Sequence, residues 1–474
     1  MNRTLLQLYH RSPAPLRSAA ATLRGYQLRR WRYGRETERL VAEALERERW
    51  SPEQWRRWQE ERLARVLERA ATEVPFYRAQ WAERRRRGDK ASWELLANWP
   101  VLEKESVRER ARAFVADGCD VRRMFYDHTS GTTGKSLDLW LTRATVRAWY
   151  ALCEARLRHW YGVSRRDRWA ILGGQLVVPV ANRRPPFWVW NAALRQLYMS
   201  SYHLAPDALA HYLDALARYR VRYLLGYTSS LYALAQGALR AGRRDLKLAV
   251  VVTNAEPVYE HQRRAIAEAF QCPVRETYGM AEIVAAASEC EAGRLHLWPE
   301  AGGVEVLGGD GRPARDGAAG ELVCTGLLNE EMPLIRYRVG DRGARGVAAA
   351  GRCACGRTLP ALAAVEGRTD DLVYTADGRR VGCIDTIYDA RLPVREAQIV
   401  QEALDRVRVR YVPAPGFTAE AGGSIIRGVR ERMGAIEVVL ERVDEIPRGA
   451  NGKYRAVVCA LPPETRRLIE EAGA

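Results

Sequence analysis

The stretch from His128 to Leu141, HTSGTTGKSLDLWL, constrains this chain more than any other. Gly131 and Gly134 permit tight backbone turns, Thr129, Ser130, Thr132, Thr133 and Ser136 offer hydroxyls, and Lys135 offers a point charge. Backbone N–H groups, hydroxyls and an ammonium in one loop are the chemistry that wraps polyphosphate oxygens. The Walker pattern would require Gly five positions before Gly134, and that position is Thr129. The loop is therefore another kind of phosphate binder, or a polar turn between two strands. The rest of the chain has to separate these readings.

Lysine usage bears on the choice. Only five of the 75 basic residues are Lys: Lys90, Lys104, Lys135, Lys247 and Lys453. In a chain that otherwise uses Arg, a Lys inside a Gly-rich loop marks a site where a planar guanidinium does not serve, and Lys135 and Lys453 both lie in such loops. The formal charge of +17 is uneven: residues 1–112 carry 26 Lys+Arg against 16 Asp+Glu, and the first 35 residues hold eight Arg and no acid. That basic arm suits a peripheral contact with an anionic membrane or a solvated helical surface, and nucleic acid is not expected as a partner. No apolar run reaches bilayer length and no signal-peptide core opens the chain; nine Cys are scattered rather than spaced as a framework, so a cytoplasmic protein is expected.

A length of 474 residues predicts more than one core. Residues 1–36 read as a basic N-terminal arm. Helical periodicity runs from Thr37 to Arg87, with a start at Ser51-Pro52-Glu53 and a stop at Pro75. Helices then alternate with short apolar strands: strands at Arg168–Leu172, Tyr223–Leu225 and Leu248–Val252, helices at Arg143–Tyr161, 206–219, Ser229–Arg240 and Val258–Phe270. This alternation predicts α/β layers with a largely parallel sheet, followed from Val304 to Ala349 by a β subdomain. A boundary near Gly367–Asp371 separates a large domain (37–369) from a small α+β C-terminal domain (370–474). The latter is predicted as a hairpin, a helix over Val394–Leu404, a strand at Val407–Tyr411, a helix over Gly423–Met433 and a strand at Ile436–Leu440.

Five further motifs follow the loop in order: Thr253–Pro257 (TNAEP), Thr277–Glu282 (TYGMAE), Arg336–Asp341 (RYRVGD), Glu366–Asp371 (EGRTDD) and Pro447–Lys453 (PRGANGK). Singly each is a turn or a surface pair. In this order, with SGTTGK, they resemble the adenylate-forming superfamily of acyl-CoA synthetases, nonribosomal adenylation domains and luciferases. TNAEP, YGMAE, PLIRYRVGD and CACGR are most similar to the phenylacetate–CoA ligase family and its capsule-biosynthesis-like relatives.

The resemblance implies an AMP-forming ligase that activates a carboxylic acid with ATP as an acyl-adenylate and passes the acyl group to CoA, the alternatives being an amine or sugar acceptor or a non-catalytic nucleotide-binding relative. It implies that Thr129, Ser130, Gly131, Thr132, Thr133, Gly134 and Lys135 hold the β- and γ-phosphates. Ala255, Glu256, Pro257 and Tyr278, with Gly279 and Met280 beside it, frame the adenine; Asp341 and Arg368 hold the ribose; Glu282 binds Mg²⁺. Asp370 is the hinge of the small domain and Lys453 the catalytic lysine of adenylation. One position departs from the family: Ala281 stands where Thr or Ser usually precedes the motif's Glu, removing one hydroxyl contact. Relatives also imply a structural Zn²⁺ on Cys290, His296, Cys353 and Cys355, whose three thiols and imidazole satisfy a tetrahedral ion. For the acid, the expected wall segments are Gly173-Gly174-Gln175 and Gly226–Ser230; the acid and the oligomeric state stay open.

Overall fold

The computed structural model describes residues 8–129, 137–175, 177–179, 182, 184–204, 207–315, 317–346, 353–368, 373–375, 380–381, 393–447, 455–462 and 464–466. Helices α1 (Ala14–Arg32), α2 (Thr37–Arg47), α3 (Pro52–Glu73) and α4 (Pro75–Arg86) come first. Ser51 caps α3: its hydroxyl accepts from the Gln54 amide while the Gln54 side chain accepts from the Ser51 amide, a reciprocal box at the predicted start. Pro75 follows the end of α3 and also occupies the first turn of α4, where a missing N–H costs nothing.

After α5 (Lys104–Glu109), the hairpin β1 (Phe125–His128) and β2 (Asp138–Leu141) flanks the Gly-rich stretch. The wound α/β part is α6 (Arg143–Leu157), β3 (Trp169–Gly173), β4 (Trp188–Asn191), β5 (Gln196–Ser200), α7 (Leu209–Arg218), β6 (Tyr223–Tyr227), α8 (Thr228–Arg240), β7 (Val250–Asn254), α9 (Glu260–Phe270) and β8 (Val274–Gly279). Strands β9 (Ala286–Glu289), β10 (Leu295–Leu297), β11 (Gly302–Leu307), β12 (Ala319–Gly326), β13 (Tyr337–Arg345) and β14 (Ala361–Arg368) follow. Together they make one sheet in the order β11-β12-β13-β14-β10-β9-β8-β7-β6-β3-β5-β4. The short strands predicted after Val304 thus run on, edge to edge, into the parallel ones.

Strands β5, β3, β6, β7 and β8 are parallel in sequence along that sheet, so their C-terminal ends share one edge. Burial on both faces explains the unbroken apolar run of β7, whose first four residues are all buried. Leu213 and Leu216 of α7, Leu231 and Leu234 of α8 and Ile266 and Phe270 of α9 pack with Leu172, Leu224 and Val251 of the sheet. In the helical layer, fully buried Arg156 of α6 makes two bonds to Glu300 (2.7 and 2.8 Å) and a longer one to Glu48 (3.4 Å). A buried guanidinium is tolerated because its charge is paired in this way.

The small C-terminal part holds the predicted hairpin, β15 (Val373–Tyr374) with β16 (Arg380–Val381). It continues with β17 (Val394–Ala403), β18 (Arg406–Pro413), α10 (Ala419–Met433), β19 (Glu437–Arg442) and β20 (Val457–Cys459), in the sheet order β19-β18-β17-β20. Here one prediction fails: Val394–Leu404 is a strand, not a helix. Glu, Ala and Gln in VREAQIVQEA favour a helix, but pairing with β18 on one side and β20 on the other buries Ala397–Val400 and overrides that preference. Helix α10 covers the sheet with Ile425, Val429 and Met433 against Ile399, Val407 and Val409.

Candidate active site

Ligands of open α/β sheets bind beyond the carboxyl ends of the strands. At that edge β7 ends in Thr253-Asn254 and β8 in Tyr278-Gly279. Backbone strain is concentrated around it. Of the six non-glycine residues with positive φ among those described, Ala255 (φ 63), Ile283 (φ 49) and Arg336 (φ 46) fall within or directly beside three predicted motifs. Each such residue costs roughly 1–3 kcal/mol and persists only where its surroundings hold it.

The side chains explain what holds them. Thr277 Oγ1 donates to the Thr253 carbonyl (2.8 Å), locking β8 to β7 at the edge. The Tyr278 hydroxyl donates to Asp341 Oδ2 (2.8 Å), so the predicted adenine-facing ring and the predicted ribose carboxylate are joined directly. Burial, and then the Asp341 charge, push the Tyr278 phenol well above its ordinary pKa and keep it a donor. Asp341 and Arg368 are register partners on β13 and β14. Asn254 Oδ1 is buried with no hydrogen-bond donor among the described residues, an acceptor free for an amino group of a ligand.

Glu256, expected beside the adenine, has its carboxylate and its carbonyl engaged at the start of α8. Its carboxylate accepts from the Ser229 amide (2.7 Å) and hydroxyl (3.1 Å), and its carbonyl from Thr228 Oγ1 (3.0 Å). It therefore caps the N-terminus of α8, where a negative charge is favourable, and fixes the turn carrying Ala255 and Pro257.

Glu282 is almost fully buried, and both of its described bonds fall on Oε1: one from Lys104 Nζ (2.9 Å), one from the Tyr337 hydroxyl (2.9 Å). Lys104 had no motif to mark it. It reaches Glu282 because the segment before it pairs with β13: the Leu102 amide donates to the Arg336 carbonyl (2.9 Å), and the Arg338 amide to the Leu102 carbonyl (3.0 Å). Its only sequence signal was its rarity as a lysine.

Thr129 and Leu137, which bracket residues 130–136, are bonded twice. The Thr129 amide donates to the Leu137 carbonyl (3.1 Å), and Thr129 Oγ1 accepts from the Leu137 amide (2.9 Å). Leu137, Leu139 and Trp140 pack in the same core as Val284 and Ala285, against which Tyr278, Met280 and Ala281 also rest. Ser130 to Lys135, Asp370 and Lys453 lie outside the described residues, as does the side chain of Arg368.

The expected acid-wall segments lie at the same edge: Gly173 ends β3 and Tyr227 ends β6. The reading of the sequence missed Tyr198 and Tyr202. The Tyr202 hydroxyl donates to the Gly174 carbonyl (2.9 Å), and burial raises the pKa of Tyr198, Tyr202 and Tyr227.

Away from this edge, Cys290, His296, Cys353 and Cys355 bring four ligand atoms within 4.8 Å of one another. His296 Nδ1 is bonded to the Leu359 carbonyl (2.9 Å), which turns Nε2 toward Cys355 Sγ (3.4 Å); Cys290 and Cys353 Sγ are 3.8 Å apart. A tetrahedral zinc with bonds of about 2.3 Å to S and 2.0–2.1 Å to N sets its ligands about 3.8 Å (S–S) and 3.6 Å (S–N) apart. The cluster fits that ion. Burial holds the Cys290 thiol up at about 12, a value that only a cation would reverse.

The sequence model for the AMP-binding enzyme family matches residues 55–329, more than half of the chain. The chain belongs to the AMP-binding enzyme family. The model of the CapK C-terminal domain matches residues 373–460 of this AMP-binding enzyme. Protein CapK of Staphylococcus aureus is 26% identical over 258 residues, covering 54% of this chain and 55% of that protein. A phenylacetate-coenzyme A ligase of Thermus thermophilus is 29% identical over 247 residues, covering 45% and 54%. The chain thus spans about half the length of these curated relatives. The fold matches a crystal structure of 2-hydroxyisobutyryl-CoA ligase in the postadenylation state with R3-HIB-AMP at a TM-score of 0.65, 22% identity and coverage of 87% of this chain and 91% of that one.

The Lys104–Glu282 contact gives a direct test. Lys104→Met strands a buried carboxylate and is expected to lower unfolding free energy by about 1–3 kcal/mol in urea titrations. Glu282→Gln in the same background should restore most of that loss. Two losses that simply add would show that the pair is not coupled.

Proposed function

We propose that this AMP-binding enzyme is an ATP-dependent ligase that converts a carboxylic acid to an acyl-adenylate and transfers the acyl group to the thiol of CoA. The observation that carries this reading is the convergence of Asn254, Tyr278, Asp341 and Glu282 at one sheet edge. A purine amino group meets Asn254 Oδ1, the ring lies against Tyr278, and ribose hydroxyls donate to Asp341. In the first step a carboxylate oxygen attacks the α-phosphorus, the bond to the bridging oxygen breaks, and pyrophosphate leaves with the electron pair. In the second, the thiol attacks the acyl carbon, losing its proton, and AMP leaves.

Two anions meet in the first step, so the protein's task is neutralisation and positioning. Lys135 and the hydroxyls of Thr129–Thr133 serve the departing phosphates, and Lys453 serves the reacting centre. Glu282, its carboxylate held in place by Lys104, would hold a Mg²⁺, which would supply further positive charge to the phosphates. A small domain of residues 370–474 turning about Asp370 carries Lys453 in for the first step and away for the second. Ala281 removes one hydroxyl from the α-phosphate, a loss of about 0.5–1.5 kcal/mol. Match to the CapK C-terminal domain, together with Ala281, supports a second reading, in which the acyl group goes to an amine or a sugar.

Acid-dependent exchange of labelled pyrophosphate into ATP, screened over a panel of carboxylic acids, tests the first step, and mass spectrometry of the product identifies the acceptor. Lys453→Ala should abolish exchange with the best acid while leaving ATP binding largely intact; unchanged exchange in that variant would remove Lys453 from the mechanism.

The Cys290, His296, Cys353, Cys355 cluster is proposed to hold one structural Zn²⁺, with all four places filled by protein. Metal analysis after a chelator wash should find one equivalent per chain, and Cys353→Ser with Cys355→Ser should lose it together with several degrees of melting temperature. Wild-type melting in that variant would overturn the assignment.

A further inference from the structure

Helix α1 turns two unlike faces to its surroundings. The inner face is small and polar. The Trp190 amide donates to Ser18 Oγ (3.2 Å), and Thr22 Oγ1 accepts from the Ala192 amide (3.1 Å) and donates to the Trp190 carbonyl (3.4 Å). At Gly25 a Cβ would meet Asn191 Oδ1 at 2.1 Å, so only glycine lets the helix sit this close. Strand β4 is the last of the sheet, and α1 satisfies an edge that would otherwise be open. Residues expected to form a separate arm are therefore fastened to the sheet; Arg147 adds an ion pair to Glu36 (2.5 Å) and a bond to the Arg30 carbonyl.

The outer face is apolar and basic. Among the described residues, six large apolar side chains are more than half exposed, and four of them are Leu8 (65%), Leu16 (59%), Leu23 (67%) and Tyr26 (54%). At 100° per residue Leu16, Ala20 and Leu23 lie on one line, with Ala19 and Tyr26 on one side and Arg24 on the other. Arg24, Arg29 and Arg30 are exposed, and no acidic residue occurs between Leu8 and Arg35. Exposed leucines beside arginines, with no acidic residue among them, suit contact with a surface that is both apolar and anionic.

We propose that α1 is an interfacial helix that lays the molecule on an anionic lipid surface, Leu16, Leu23 and Tyr26 entering the headgroup layer and Arg24 and Arg30 meeting lipid phosphates. Charge argues for this occupant over a second copy of the chain, because two such faces would set arginine against arginine. Five strand spacings, roughly 24 Å, separate β4 from β8, where Tyr278 lies.

The test is flotation of the full-length protein with phosphatidylcholine vesicles, with and without phosphatidylglycerol, at low and high salt. Binding is expected only to the phosphatidylglycerol vesicles and to fall as salt rises. Arg24→Gln with Arg30→Gln should weaken it roughly 25-fold, at about fivefold per arginine, and Leu16→Gln with Leu23→Gln should abolish it. Both variants should keep the wild-type melting temperature, since these side chains face away from β4. Absence of vesicle binding at low salt overturns the proposal. So does a concentration-dependent dimer, seen by sedimentation, that the leucine substitutions dissolve.

Discussion

Strand β8 has unlike neighbours, and most of the site follows from that. It pairs parallel with β7 through Val251–Thr253 and antiparallel with β9 through Thr277–Gly279. Its last residues therefore end the parallel sheet and begin the antiparallel one at the same place. Side chains alternate along it. Thr277 reaches back to β7, Tyr278 reaches to Asp341 on β13, and the chain leaves the strand to bury Glu282. A slip of one residue would turn Tyr278 to the opposite face and break its bond to Asp341.

The cost of this junction is visible in the backbone and in buried charge. Ala255, Ile283 and Arg336 are held at positive φ where glycine would be relaxed. Arg336 is fastened by an ion pair to Glu305 (3.0 Å) and a bond to the Trp99 carbonyl (2.8 Å); the Glu256 carboxylate secures the turn at Ala255. Conformations that expensive are retained where a particular arrangement of groups is needed, and here that arrangement surrounds Tyr278, Asp341 and Glu282.

Much of the site was legible because its residues sit in compact motifs at strand ends, where local sequence carries both the strand and its polar tip. TNAEP and TYGMAE fall where β7 and β8 end, and the Cys/His cluster joins two close pairs, Cys290 with His296 and Cys353 with Cys355, that lie more than fifty positions from each other. What stayed hidden depends on distant contacts. Lys104 belongs to the site only because Leu102 pairs with β13. The Glu256 carboxylate caps a helix that starts before it in the chain. The sequence VREAQIVQEA carries helical spacing, and only its two partner strands make it a strand. The inner face of α1, read as part of a basic N-terminal arm, is explained by β4 and by nothing within the helix.

In the proposed reaction a carboxylate oxygen becomes bonded to the α-phosphorus of ATP. Turnover of an acid labelled with oxygen-18 in its carboxylate, followed by mass spectrometry of the nucleotide product, tests it directly. The expected product is AMP carrying one labelled oxygen, with pyrophosphate unlabelled. Label in inorganic phosphate with ADP as the nucleotide product, or unlabelled AMP, would contradict it.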